Sequence, residues 1–360
     1  MFKQFQYMTE IENMELIIGV PYDSSEISFT EAQSSVKKLN VSQDSSENGS
    51  NPTSGWNYLT NVEELSIDSK WYFSDSHPLN FAQMTKLSTL SVKARGLKSI
   101  SVPSSAKLIN LNVYNNSSPS DIALTSSGVE DLEILTSGTI NVGNCPMLKK
   151  SYLVAYNVNN ESIGASIGVC PQLNHAIFNL TRGDVKYNGT NYTNLETLQI
   201  SGKYIKSIPS ATVIPNLTNL YIGYISNADV TSGIGALDLT GYSKLVDFSM
   251  ANLNESGYPY YQYNNRYYTG SGIALRGKGA FTITEAQYAT AKANAKLRVE
   301  TDNYTLPDYS GITYDPGTPA YYEVNTVYKV VDGAGNEVSI ADSDASDGEC
   351  TILINSKNSY

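Results

Sequence analysis

The chain has 360 residues and a formal net charge of −11, from 24 Lys and Arg against 35 Asp and Glu. The basic residues are scattered, with Lys37-Lys38 and Lys149-Lys150 isolated pairs, which excludes the clustered cationic surface that nucleic acid binding requires. No apolar run approaches the ~20 residues of a membrane-spanning helix, and three Cys do not make a disulfide framework. Charged residues are 16% of the chain, below the roughly 25% usual for soluble proteins. Ser, Asn, Thr and 27 Tyr take their place, a composition common in extracellular adhesins and virion proteins.

From the N-terminus, the segment Met1-Phe-Lys-Gln-Phe-Gln-Tyr-Met-Thr-Glu-Ile-Glu12 has no apolar signal core. The expectation is that the chain is not exported by the usual route, or that a signal was removed. From Ile11 onward one phrase recurs: an apolar residue, two positions, an apolar residue, one position, an apolar residue. It reads Ile11/Met14/Leu16, Val36/Leu39/Val41, Val62/Leu65/Ile67, Leu87/Leu90/Val92, Leu108/Leu111/Val113 and Val129/Leu132/Ile134. It continues as Leu148/Ser151/Leu153, Leu173/Ala176/Phe178, Leu195/Leu198/Ile200, Leu217/Leu220/Ile222 and Leu245/Phe248/Met250. Successive copies start 19 to 28 residues apart. A further apolar residue often stands three positions earlier, as at Leu59, Met84, Cys145, Cys170, Tyr192, Ile214 and Tyr242.

A second alternation precedes most copies: Ile27/Phe29, Ile100/Val102, Ile122/Leu124, Ile140/Val142, Ile167/Val169, Val185/Tyr187 and Leu237/Leu239. Period two is the mark of a strand with one face buried, and the stretches between are turn-rich in Ser, Asn and Gly. One coil of this length cannot bury its own apolar side. Stacked coils bury each other's, and their short strands pair in parallel with the coils above and below. Residues between the inward positions, such as Asn40, Ser66, Ser91, Asn112, Glu133, Gln199 and Ser249, are expected to face water.

Thr284-Glu-Ala-Gln287 has the form of a capping box and opens an Ala-rich run, which predicts a helix over 284–296 with Leu297-Arg-Val299 as a following strand. The same Thr-Glu-Ala-Gln stands at Thr30 to Gln33, so a shared helical element within coils is expected. Residues 303–320 carry Pro307, Pro316 and Pro319 and read as a linker. In residues 321–360, Tyr321 to Val331, Glu337 to Ile340 and Thr351 to Ile354 read as strands of a small β appendage containing a hairpin. The N-terminal side offers Phe2, Phe5, Tyr7 and Met8 as a thin cap, which suggests an upstream segment, or a homo-oligomer or other partner chain, at the first coil.

The phrase resembles the leucine-rich repeat, L-x-x-L-x-L-x-x-N-x-L. Leu195-Glu-Thr-Leu198-Gln-Ile200 followed by Ile205-Lys-Ser-Ile208-Pro209 matches it closely, and Leu237 to Leu253 resembles the irregular sub-type frequent in surface proteins of gut Bacteroidetes and their phages. The resemblance covers roughly residues 11–255. It departs from the family in lacking most of the Asn ladder, Asn252 being one of few, and in lacking long helices on the outer side. It implies a mainly β, right-handed solenoid with short parallel strands and few helices. The repeat train would span 11–255, with a capping coil and helix at 256–302 completing a solenoid of residues 1–302.

No nucleophile elbow, phosphate loop or zinc-protease motif is present. His77 and His175 have no zinc-ligand spacing. The acidic run Asp342 to Glu349 offers oxygen ligands for calcium but lacks EF-hand spacing and is read as a solvated turn. No cofactor or metal is therefore expected. Cys145-Pro-Met-Leu and Cys170-Pro-Gln-Leu occupy one place in successive coils. They read as two inward thiols, although neighbouring strands also lie within disulfide range.

The candidate ligand-binding residues are tyrosines. The stretch Tyr258-Pro-Tyr260-Tyr261-Gln-Tyr263-Asn-Asn-Arg266-Tyr267-Tyr268 gathers six Tyr and one Arg. Tyrosine gives large contact area with a polar tip, suited to recognition. The alternative is a loop shielding the end of the solenoid core. Tyr114, Tyr152 and Tyr221 would stud the exposed strand face, which the resemblance makes the usual ligand surface. The reading that follows is a non-enzymatic adhesin, extracellular or on the cell surface, recognising a protein or glycan there without membrane insertion. A phage virion structural protein, such as a tail fibre, shares the fold. A carbohydrate-active enzyme using Asp131 and Glu133 is a third reading.

Overall fold

The structure is a computed structural model. It describes residues 9–18, 27–43, 53–72, 79–95, 97, 100–114, 120–156, 164–180, 183–202, 205–225, 236–245 and 247–252. Beyond these it describes 262–263, 266–267, 273–274, 279–284, 297–300, 304–305, 321–322, 326–331, 334 and 351–354. The fold is mainly β, a parallel β-solenoid of about 7 turns with almost no helix. The chain divides into two compact units, residues 1–194 and 195–360.

In the first unit the odd-numbered strands form the front sheet and the even-numbered strands lie behind. They follow one another as β1 (Asn13–Ile18), β2 (Ile27–Ser28), β3 (Lys38–Gln43), β4 (Thr53–Ser54), β5 (Glu64–Tyr72), β6 (Leu79–Asn80), β7 (Thr89–Arg95) and β8 (Ile100–Ser101). The succession continues with β9 (Leu108–Tyr114), β10 (Ile122–Leu124), β11 (Asp131–Thr136), β12 (Ile140–Val142), β13 (Lys150–Ala155), β14 (Ala165–Ile167), β15 (His175–Leu180) and β16 (Val185–Tyr187). Each front strand pairs in parallel with the next, from β1–β3 through β13–β15. Behind them β2 pairs with β4, β6 with β8, and β10 through β16 form a parallel four-stranded sheet.

Register turns the sequence phrase into columns. Met14, Leu39, Leu65, Leu90, Ile109, Leu132, Ser151 and Ala176 stack in one inward column. Leu16, Val41, Ile67, Val92, Leu111, Ile134, Leu153 and Phe178 stack in the next. All but Leu16 are buried. The apolar residues three positions before each copy are buried as expected, from Leu59 and Met84 to Ile214 and Tyr242. In the early coils the interior is filled by an aromatic run: Phe29 lies 5.1 Å from Trp56, and Trp56 5.4 Å from Phe81 edge-on, a geometry the ring quadrupoles favour.

One copy of the phrase and one of the second alternation sit two residues away from their expected frame. The fifth copy is Ala106/Ile109/Leu111, not Leu108/Leu111/Val113: Leu90 pairs with Ile109, and Leu108 points outward with 45% of its surface exposed while Ile109 keeps 1%. Behind, the inward pair is Ala165/Ile167, and Val169 is 47% exposed. A period-two pattern is unchanged by a shift of two, so apolar residues on the outer face pull the frame with them.

A second regularity lies where each front strand starts. The carbonyl of Glu12 accepts the N–H groups of both Lys37 and Lys38, that of Lys37 those of Glu63 and Glu64, and that of Glu63 those of Ser88 and Thr89. Ser88, Lys107, Glu130 and Lys149 repeat this in turn. The side chains at these positions carry alternating charge where they are charged. Lys37 meets Glu12 at 2.6 Å, and Glu130 holds Lys107 at 3.1 Å and Lys149 at 2.6 Å.

The Thr30–Gln33 signature is a one-turn 3-10 helix, Glu31–Gln33. The Thr30 hydroxyl accepts the Ala32 N–H at 3.3 Å and the Gln33 side chain accepts the Thr30 N–H at 2.9 Å. The related run expected as a helix over 284–296 lies outside the described residues except Thr284, which ends the strand Gly279–Thr284.

In the second unit β17 (Thr197–Ser201), β18 (Asn219–Ile225) and β20 (Asp247–Asn252) pair in parallel in that order. β19 (Ala236–Asp238) pairs with Gly279–Thr284, which pairs in parallel with Thr326–Val331. Thr351–Ile354 runs antiparallel to Leu297–Glu300 and to Ile273–Ala274. The strands expected at 297–299 and 351–354 are therefore present, and of the one expected over 321–331, Tyr321–Tyr322 and Thr326–Val331 are strand. The pairings found for Thr326–Val331 and Thr351–Ile354 are with strands before residue 303, and residues 337–340 lie outside the described residues.

Candidate ligand-binding face

Side chains between the inward columns project from the front sheet in three outward rows. The early coils fill these rows mostly with polar and charged groups: Asn13, Lys38, Glu64 and Thr89 in the first, Glu15, Asn40, Ser66 and Ser91 in the second, with exposed Ile17 the exception in the third. Lys38 meets Glu64 at 2.7 Å and Lys93 meets Asp68 at 3.2 Å. Such exposed pairs are worth at most about 1 kcal/mol each, and their outward position is what a solvated sheet face requires.

The character changes on the later coils. On β13, Lys150, Tyr152 and Val154 face out while Ser151, Leu153 and Ala155 face in. Tyr156 follows directly, and Tyr152 and Tyr156 expose 37% and 39% of their surfaces. The Tyr156 hydroxyl donates to the Val113 carbonyl at 3.2 Å, which fixes its ring over the sheet. Leu135 on β11 pairs with Val154, and Ile177 on β15 pairs with Tyr152. Leu135, Val154 and Ile177 are half-buried. Five apolar and aromatic side chains thus adjoin on a face that alternation reserves for polar residues.

The rim is polar. Asp131, Lys150 and His175 share one row. Glu133, beside Tyr152, accepts a hydrogen bond from the Asn110 amide at 2.7 Å. Burial, and next the neighbouring Lys150 charge, push the His175 imidazole below its ordinary pKa, which favours the neutral ring that can both donate and accept. Among the described residues no cluster of His, Cys, Asp or Glu could hold a metal, and no helix is long and apolar enough to cross a membrane.

The tyrosines singled out in the sequence fall in different places. Tyr152 is central to the face. Tyr114 ends β9, opposite Arg95; its side chain is outside the described residues. Tyr221 occupies the outward position on β18 between Gln199 and Ser249 but is 7% exposed. Of the tyrosine-rich stretch, Gln262–Tyr263 and Arg266–Tyr267 form a two-stranded antiparallel pair that sets Tyr263 opposite Arg266; Tyr258, Tyr260, Tyr261 and Tyr268 are outside the described residues. Leu135, Val154, Tyr156 and Ile177 were not singled out. The signal for them existed: each breaks the polar run at an outward position, a break visible once the frame is set by the neighbouring coils.

A scan against protein-family models gives no match to this chain. A search of curated proteins gives none either.

Proposed function

We propose that the protein is a non-enzymatic binding module of leucine-rich-repeat type. Its ligand is a protein or glycan at a cell surface, bound on the outward face centred on β13, and it acts outside the cell or on its surface. The observation that carries the reading is the patch of Tyr152, Val154, Tyr156, Leu135 and Ile177. Apolar groups that adjoin on the outward face, unlike the single exposed Ile17 and Leu108, are a cost to solubility that a binding site offsets. Two tyrosines on one strand face supply flat rings that stack on sugar rings or on protein side chains, with hydroxyls at the tips. Asp131, Glu133, Lys150 and His175 supply directional hydrogen bonds at the rim. The leucine-rich-repeat assignment rests on the residues of the repeat and is compatible with the parallel solenoid.

The test is binding of fluorescently labelled chain to a glycan panel and to intact bacterial cells, with the cells treated beforehand by protease or by periodate. Saturable binding that survives protease and is lost on periodate identifies a glycan; the opposite pattern identifies a protein. Absence of saturable binding to every glycan and cell type overturns the reading.

A further inference from the structure

Two consecutive coils place a cysteine at the same corner. Cys145 lies just after β12 and Cys170 just after β14, and both are buried and reduced. The corner is unusually tight because glycines precede them: a Cβ on Gly168 would lie 2.7 Å from the carbonyl carbon and oxygen of Gly143, closer than real Cβ atoms come to backbone. Hydrogen bonds hold the two coils at that distance. Gly168 N–H donates to Val142 at 2.8 Å, Cys145 N–H donates to Val169 at 3.2 Å, and Cys170 Sγ lies 3.9 Å from the Gly143 carbonyl oxygen it faces. The register sets Val142 beside Ile167, so the two cysteines, each three residues further on, stand in successive coils at one level. The chain enclosed between them contains all of β13, with Tyr152 and Tyr156.

We propose that Cys145 and Cys170 are a convertible thiol pair that closes into an inter-coil disulfide when the chain folds in the presence of a small-molecule disulfide oxidant. One cysteine thiolate attacks a sulfur of the oxidant, forming a mixed disulfide and expelling one oxidant thiolate. The second cysteine thiolate then attacks the protein-side sulfur, forming the Cys145–Cys170 bond and expelling the other oxidant thiolate. Two protein thiols are oxidised, the oxidant disulfide is reduced to two thiols, and the two protons pass to the expelled thiolates. In the closed corner the pair shares one proton unequally, the neighbouring Cys170 drawing the Cys145 thiol down and Cys145 with burial holding Cys170 up. Because both sulfurs are buried, closure accompanies folding or follows opening of the corner. The bridge would pin the coil that presents the β13 face; that consequence rests on the proposed function, whereas the chemistry of the pair does not.

The experiment uses the full chain with Cys350→Ser, so that Cys145 and Cys170 are its two remaining thiols. The chain is refolded from urea in oxidised or reduced glutathione, then denatured, alkylated and digested for mass spectrometry. The expected result is alkylation of both cysteines after the reducing refold. After the oxidising refold neither is alkylated, and one linked Cys145–Cys170 peptide pair appears that separates on reduction. The oxidised chain keeps its β circular dichroism and unfolds at a higher urea concentration than the reduced one. Two alkylated or two separately glutathionylated cysteines after the oxidising refold would overturn the proposal. So would linkage accompanied by loss of the β signal, since the bridge must fit the native corner. Neither result bears on whether the β13 face binds a ligand.

Discussion

Leu108 and Ile109 are adjacent, both aliphatic and close in volume, yet the fold treats them oppositely. In the frame set by pairing, Ile109 is 1% exposed between Leu90 and Leu132, and Leu108 is 45% exposed on the outer face. Ile109→Ala removes three carbons from an interior column whose neighbours are held by strand pairing and cannot collapse fully. The expected loss is ~2–5 kcal/mol. Leu108 is little more than half buried, so its truncation forfeits roughly half of the ~1.5–3 kcal/mol of a fully buried Leu, about 1 kcal/mol, with no cavity. Urea unfolding followed by tryptophan fluorescence measures the difference, with Trp56, packed against Phe29 and Phe81, as a reporter inside the same unit. Interactions in a solenoid are nearest-neighbour, so the comparison uses two variants of one coil. A Leu108→Ala loss equal to or larger than that of Ile109→Ala would refute the register.

Two further predictions concern the corners and the charge ladder. The Tyr192 hydroxyl accepts the Gly189 N–H at 2.9 Å and lies 3.0 and 2.9 Å from the Ile167 and Gly168 carbonyls, one of which it donates to; burial pushes its pKa up to about 12. Tyr192→Phe keeps the ring and takes the acceptor from the buried Gly189 N–H, whereas the Ile167 carbonyl keeps the Asn188 N–H, so ~1–3 kcal/mol of stability is expected to disappear in urea titration, and a loss under about 0.5 kcal/mol would contradict this. The hydrogen bonds from Lys149 and Lys107, with their charges, hold Glu130 below its ordinary 4.5. A depressed folded-state pKa gives stability that is complete above the unfolded value and lost as pH falls through the folded one. The melting difference between wild type and Glu130→Gln should therefore be present at about pH 7 and vanish below the folded-state pKa, and also shrink in ~1 M salt; a difference independent of pH would count against the ladder.

Much of this fold was legible because burial leaves a periodic trace. The positions Leu59, Met84, Cys145, Cys170, Tyr192, Ile214 and Tyr242 were identified by spacing alone, and all are buried. Tyr192 and Tyr242 show why a tyrosine suits a core corner: its ring fills the column while its hydroxyl reaches a backbone carbonyl, that of Pro209 for Tyr242 at 2.5 Å. The candidate face was less legible for the same physical reason that two frames slipped. Leu108, Leu135, Val154 and Ile177 look like core residues in a hydropathy pattern, and only strand pairing tells an outward aliphatic from an inward one. The charge ladder was also invisible as a ladder, since Glu12, Lys37, Lys107, Glu130 and Lys149 become neighbours only when the coils stack.

The central claim is that the outward face of β13 binds the ligand. The direct measurement is equilibrium affinity for whichever glycan or surface protein the binding screen identifies, compared across three chains. One is wild type, one carries Tyr152→Ser with Tyr156→Ser, and one carries Met147→Ser with Val169→Ser, which are equally exposed but lie at a corner of the same coils. Loss of two central aromatic contacts at ~1–2 kcal/mol or more each predicts that the tyrosine variant weakens binding by roughly 30-fold or more, with the corner variant within about twofold of wild type. Wild-type affinity in the tyrosine variant, its fold intact by circular dichroism, would contradict the account.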